Sequence, residues 1–346
     1  MSEDRREDIL ALTPAERASY LAAGGEPAYR AEQLERWLFA EAASSFDEMT
    51  NLPGELRAKL ARDYYIPFPT LRDEVRDADG TAKYLLELSD GGLVEAVYMP
   101  GEDHDAVCLS SQVGCRFGCR ICATGGLPFR RSLTAYEIFA QFALVQRRHP
   151  ETRIRNAVLM GQGEPLANAR AVRAAIGLLR DHFSVGGRRI TVSTAGLPKA
   201  IEDWAENGPP VKLAISLNSA IQRTRDELMP GMARYPLAEL SRACRRYWER
   251  TRRRPTFEYV LCGGVNDDGT HARALVEFTR RLPCKINVIP FNPWKGSPYR
   301  PPNENRMAAF LAEVATGPMA LTVRRPRGAS ISAACGTLAN RAATRP

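Results

Sequence analysis

The sequence predicts an α/β fold, a parallel sheet of repeated βα units preceded by a small helical region and a β-hairpin. Three observations predict it. Helical periodicity with capping signals fills roughly the first eighty residues, and an alternating apolar pattern then brackets an Asp-Gly pair. From about Ala106, short apolar runs alternate with helical segments. At 346 residues the chain can bury a sizeable core, one large domain with a smaller appendage. The expected divisions are a helical region over 1–80, a hairpin extension over 81–105 and a βα core over 106–340.

The elements follow in order. In "LTPAERASYL", Thr13 is an N-cap, Pro14 takes the first helical position and Glu16 closes a capping box. A second helix runs from about Arg30, with Leu34, Trp37, Leu38 and Ala42 at helical spacing, and "NLPGELRAKL" predicts a third after Pro53. "KYLLELSDGGLVEAVYMP" is the hairpin. Strands are expected at 106–110, 157–160, 189–193, 212–216, 256–261 and 285–289. Helices are expected near 134–147, 168–182, 198–206, 236–250, 270–281 and 303–315, the first opened by a capping box from Thr134 to Glu137. Six βα units are too few to close an eight-stranded barrel, which leaves an open partial barrel or a doubly wound sheet.

Polar and glycine-rich stretches fall just after the strands: "GCRFGCRIC", "GQGEPLAN", "STAGLP", "SLNSA", "GGVNDD" and "PFNPWKG". In a parallel sheet those strand ends share one face, so a single site should receive all six loops. The 48 basic and 40 acidic residues leave a net charge of +8, which favours a polyanionic partner. "MSEDRREDIL" lacks the apolar core of a secretory signal and no apolar run approaches bilayer length, so a cytoplasmic protein without membrane contact is expected. There, eight cysteines read as metal ligands, catalytic thiols or small buried residues rather than structural disulfides.

Four of them lie in "CLSSQVGCRFGCRICATG". Thiolates at Cys115, Cys119 and Cys122 can ligate three irons of a [4Fe-4S] cluster and leave the fourth open for a cofactor, with Gly114 and Gly118 supplying backbone bends. The rival is a zinc site with Cys108 as fourth ligand. Cys244, Cys262 and Cys284 read as buried apolar residues. In the strand after Asp90, Leu93, Glu95, Val97 and Met99 share one face. Glu95 therefore projects among apolar neighbours that would raise its pKa, unless the strand is an exposed edge.

The C-x3-C-x2-C spacing after the first strand of a βα series resembles the radical S-adenosylmethionine superfamily. "CLSSQVGC", "MGQGEPLAN", "VSTAGLP", "LAISL", "EYV", "VND", "CKINVIPFNP" and "SAACG" occur in the order found in the RlmN/Cfr family of RNA adenine methyltransferases. The resemblance runs from about Tyr29 to Leu338 and includes "FDEMTNLP" in the helical region. It implies a partial (β/α)6 barrel of the radical SAM type. It further implies a [4Fe-4S] cluster on Cys115, Cys119 and Cys122, whose open iron chelates the methionine moiety of S-adenosylmethionine. Gly163, Glu164, Ser193, Ser216, Leu217, Asn218 and Asn292 match the family's cofactor-contacting positions. The residue types suit such contacts, because glycine admits a ligand to the backbone, glutamate accepts from an ammonium group, and serine or asparagine satisfies ribose and adenine.

The resemblance also implies a methyl-carrying cysteine at Cys335, a resolving partner at Cys108 and a proton acceptor at Glu95. An electron-poor adenine carbon resists polar methyl transfer but accepts a carbon radical. In the family mechanism one cofactor methylates the carrier, and a second yields a 5′-deoxyadenosyl radical that takes hydrogen from the S-methyl group. The methylene radical then joins protein to RNA, and release by base and thiolate leaves a disulfide. C2-methylation of adenosine in 23S ribosomal RNA, and also in transfer RNA, is the leading expectation, with C8-methylation as in the Cfr branch the alternative. A non-catalytic, metal-stabilised RNA-binding module is the rival from another class. A flavodoxin or ferredoxin as electron donor, a monomeric state and an RNA-binding role for the helical region complete the expectations.

The arginines of "SRACRRYWERTRRRP" read equally as phosphate contacts or as a solvated helix face, and Arg324, Arg325 and Arg327, near Cys335 in sequence, are the better candidate phosphate contacts. Asn218 stands where the family usually has histidine. "GGLPFRRSLT" and the glutamine of "MGQGEP" depart from the family pattern as well.

Overall fold

The computed structural model describes residues 6–324 and 327–339. The first helix, α1 (Pro14–Ala23), opens on the expected box: the Thr13 hydroxyl accepts from the Glu16 N–H (3.2 Å) and the Glu16 carboxylate from the Thr13 N–H (2.7 Å). Helix α2 (Tyr29–Glu35) runs into a π-helical turn over Arg36–Ala40, and α3 (Gly54–Asp63) follows. Their apolar stripes bury Leu21, Leu34, Leu38, Leu56 and Leu60. The bundle is fastened to the core, where the Tyr136 hydroxyl donates to the Leu38 carbonyl (3.3 Å) and Arg147 to that of Ala42 (2.9 Å).

One ten-stranded sheet organises the remainder. Strands β1 (Thr70–Arg76), β2 (Ala82–Glu87), β3 (Leu93–Met99) and β4 (Ala106–Cys108) pair antiparallel. From β4 onward, β5 (Asn156–Leu159), β6 (Ile190–Thr194), β7 (Lys212–Ser216), β8 (Thr256–Leu261), β9 (Lys285–Pro290) and β10 (Ala320–Val323) pair parallel. Spatial order follows chain order throughout. A doubly wound sheet must reverse its order at a switch point, so this topology is the partial barrel, with β1 and β10 as its edges.

Two strands of this sheet lie outside the sequence expectations. Strand β1, "TLRDEVR", carries the charge of a protected edge and lacks an apolar signature. Strand β10 is four residues long and largely exposed. The helices fall close to expectation: α4 (Ala135–Arg148), α5 (Ala169–Phe183), α6 (Pro198–Asn207), then an unanticipated short α7 (Gln222–Leu228), α8 (Leu237–Thr251), α9 (Gly269–Thr279) and α10 (Glu304–Val314). No helix among the described residues is long and apolar enough to cross a membrane.

Alternation along the parallel strands creates the site. On β6, Ile190 and Val192 are buried in the main apolar core, while Thr191 and Ser193 line cavities inside the barrel. On β7, Leu213 and Ile215 do the same, leaving Ala214 and Ser216 to the interior.

Candidate active site

Cys115, Cys119 and Cys122 line one cavity at the C-terminal ends of the parallel strands, together with Gly163, Glu164, Ser193, Ser216, Asn218, Asn292 and Cys335. Gly114 (φ +73°) and Gly118 (φ +58°) supply the left-handed bends that wrap the cysteine loop. Burial pushes the Cys115 thiol up to about 11 and raises Cys119 and Cys122 as well. These thiols become thiolates only when a cation takes the place of their protons. Cys108 lies elsewhere, in a small chamber with Cys335, so it is not placed as a fourth zinc ligand.

The loop after β5 presents Glu164. Its Oε2 accepts from the Ala195 N–H (2.6 Å) and its Oε1 from the Leu166 N–H (3.0 Å), while its own N–H donates to Gln112 Oε1 (3.0 Å). Burial raises its pKa to about 7 against those bonds. At Gly163, φ is +98° and an added Cβ would stand 2.5 Å from the Cβ of Gln112, so only glycine fits between that side chain and the cavity.

Leu217 is fully buried in the main core, so only its backbone could meet a cofactor. Asn218 adopts φ +58°, a left-handed conformation that asparagine tolerates better than most residues. Its Oδ1 accepts from the Val260 N–H (3.0 Å), and its Nδ2 donates to the Met229 sulfur (3.1 Å). The expectation of six converging loops is corrected at "GGVNDD", none of whose residues line the cavity. Asn266 there is buried, donating to the Asn218 (2.6 Å) and Val260 (2.8 Å) carbonyls and bracing the loop before it.

Cys335 joins the cavity from a loop after β10. Asn292 Nδ2 donates to its carbonyl (3.1 Å), the Ala123 N–H donates to the Gly336 carbonyl (2.7 Å), and the Thr124 hydroxyl donates to that of Leu338 (2.8 Å). The cysteine loop itself therefore holds this segment. Cys108 ends β4, opposite Val97 of β3, and shares the chamber with Cys335, Met99, Met160 and Arg324. Burial, reinforced by Cys335, pushes the Cys108 thiol up to about 12, and Arg324 pulls the other way.

Glu95 lies on the same face of β3 as Val97 and is fully buried, so it is not an exposed edge residue. The apolar setting expected for it overlooked Lys83, whose Nζ stands 3.2 Å from Oε1 and is itself buried. That lysine is invisible in sequence because only strand register brings β2 alongside.

The arginines divide. Arg324, read as a phosphate contact, instead rests its guanidinium against the sulfurs of Met99 and Met160 (3.8 Å each) beside the two thiols. Arg327 is exposed, and Arg325 lies outside the described residues. On α8, Arg246 and Arg250 pair with Glu202 (2.7 Å) and Glu206 (2.8 Å) of α6. Cys244, Cys262 and Cys284 are buried as expected.

The family model of the ribosomal RNA large subunit methyltransferase N-terminal domain matches residues 7–66, and that of the Radical SAM superfamily matches residues 109–274. The chain is 45% identical over 344 residues to the dual-specificity RNA methyltransferase RlmN of Anaeromyxobacter sp. (strain Fw109-5), spanning 96% of this chain and 91% of that protein. The chain belongs to the RlmN/Cfr family. The RlmN of Rhodospirillum rubrum is 43% identical over 343 residues, covering 96% of this chain and 80% of that protein. The crystal structure of a radical SAM methyltransferase from Sphaerobacter thermophilus superposes with a TM-score of 0.91 at 42% identity, over 97% of this chain and all of that one. The cavity and its cysteine loop suit the S-adenosylmethionine and iron–sulfur chemistry typical of the RlmN/Cfr family.

Proposed function

We propose that this chain is an RNA methyltransferase that places a methyl group on C2 of an adenosine in 23S ribosomal RNA, with transfer RNA as a further substrate. The observation that carries the reading is the shared chamber of Cys108 and Cys335, brought together from more than two hundred residues apart and opening on the cysteine-loop cavity. Relatives of near full length named dual-specificity RNA methyltransferases support the substrate class.

Cys115, Cys119 and Cys122 hold a [4Fe-4S] cluster, and no three His, Cys, Asp or Glu side chains among the described residues form a single-ion site. Gly163, Glu164, Ser193, Ser216 and Asn292, with the backbone at Leu217 and Asn218, cradle S-adenosylmethionine. When bound, cluster and cofactor supply a transferable methyl group and a carbon-centred radical. The sulfur of Cys335 carries the methyl carbon to the base. Glu95, oriented by Lys83, takes the ring proton, and the Cys108 thiolate attacks the Cys335 sulfur. With the adduct's odd electron returned to the iron–sulfur centre that would supply it, the new S–S bond forms as the bond from the Cys335 sulfur to the methylene carbon breaks, and a proton joins that carbon to complete the methyl group and free the RNA. The enzyme works as a cytoplasmic monomer fed by a flavodoxin or ferredoxin.

Nucleoside mass spectrometry of RNA from cells with and without the gene tests this reading. Loss of C2-methyladenosine from ribosomal RNA is expected on deletion. Loss of C8-methyladenosine alone would transfer the chain to the Cfr specificity, and no change in either would end the proposal.

A further inference from the structure

One fully buried cation is left without a role in this chemistry. Arg225 of α7 is 0% exposed. Its Nη2 donates to the Ala195 carbonyl (2.7 Å), while Nε and Nη1 have no hydrogen-bond partner among the described residues. The carboxylate of Asp226 is engaged by Gln222, whose Nε2 donates to it at 2.7 Å. Burying a guanidinium with two unsatisfied nitrogens is costly, so such a group persists where an opposite charge arrives to meet it.

The surroundings say what that charge is. Helix α7 and the turn after it are bonded to the cysteine loop, because the Arg120 N–H donates to the Leu228 carbonyl (2.9 Å) and the Gly231 N–H to that of Phe117 (3.0 Å). Ala195, which receives Arg225, packs in the same apolar cluster as Cys115 and Cys119, and its own N–H is held by Glu164 (2.6 Å). Burial lowers the guanidinium's pKa, and the thiol of Cys119 is the largest influence opposing that fall. Room for the guanidinium depends on Gly196, where φ is +100° and an added Cβ would stand 3.2 Å from Nη2.

We propose that Arg225 is a positioning residue for the iron–sulfur cluster: held against Ala195 beside the cysteine loop, it offsets the negative charge of three thiolates on the cluster and eases the cluster's reduction. The proposal rests on the cluster reading given above. Three thiolates outweigh the positive charge of the cluster core, and each electron added deepens the imbalance. A fixed cation therefore favours the reduced state more than the oxidised one.

The test compares wild type, Arg225→Met and Arg225→Lys in three measurements. They are thermal unfolding of the iron-free protein, iron loss to a chelator after anaerobic reconstitution, and the reduction midpoint followed by electron paramagnetic resonance. In the methionine variant the iron-free protein should unfold at or above the wild-type temperature, since an uncompensated charge is gone. Its cluster should be lost about tenfold faster or more, as when an outer partner of a metal site is removed, and should be reduced at a lower potential. Lysine should fall between the two. Unchanged chelation and midpoint in Arg225→Met would overturn the proposal. So would a methionine variant that cannot fold without iron, which would make the arginine purely structural. A wild-type protein that takes up no iron and sulfide would remove the cluster reading itself.

Discussion

Asn292, in the loop after β9, holds the main chain of Cys335 through a 3.1 Å bond from its side-chain amide to the cysteine carbonyl. One residue thus borders the cofactor cavity and restrains the methyl carrier. Asn292→Ala should release about 1 kcal/mol of restraint, so the amides around Cys335 should exchange with deuterium about fivefold faster, and transfer should slow accordingly. Unaltered exchange over 334–338 would show that the Ala123 and Thr124 bonds to this segment suffice without it.

Cys335→Ala should abolish methyl transfer while leaving iron content intact, because its side chain is not among the cluster thiols. Cys108→Ala should accumulate a covalent protein–RNA adduct, visible as a gel shift that resists denaturant. Full turnover by the Cys335 variant would contradict the carrier role.

Glu95→Gln should also accumulate that adduct, and it should lower stability by about 3 kcal/mol, since Lys83 would keep its buried charge beside a neutral amide. Adding Lys83→Met should restore much of the stability in urea titrations but none of the product release. A single variant as stable as wild type would mean that the ion pair contributes nothing net.

Glu164 carries a pH signature. With its folded pKa near 7 against an ordinary 4.5, the native state keeps a proton that the unfolded chain has released. Stability therefore falls as pH rises from about 4.5 to about 7 and levels off above, by about 3 kcal/mol in all. Glu164→Gln removes this dependence. In the ligand-free protein, the stability difference between variant and wild type should shift by most of that amount in the variant's favour between pH 5 and pH 8. Cofactor affinity in wild type should move oppositely, improving up to about pH 7 as the carboxylate ionises to meet an ammonium group. Parallel pH profiles for the two proteins would refute the assignment.

Much of the architecture was legible because it is written locally. The boxes at Thr13 and Thr134 start helices through residues three apart in sequence, helical periodicity marked α4, α5 and α8, and apolar runs marked six of the seven parallel strands. The exceptions have local reasons too. Strand β1 is a charged edge, β10 is short and exposed, and α7 is only seven residues long, so none carries a clear period.

The cysteine spacing and the ordered loops by themselves determined the candidate cluster ligands, the family resemblance and the side of the sheet on which a site must lie. Only the tertiary structure decided that Lys83 faces Glu95, that Arg324 turns from solvent toward two thiols and that Asn266 braces Asn218. It also decided that Arg225 is held against Ala195 beside the cysteine loop with two nitrogens unmet among the described residues. The physical reason is common to all four. Each depends on strand register or loop packing between segments far apart in the chain, where burial without water makes a single charge or amide matter, and no local pattern records which distant groups will meet.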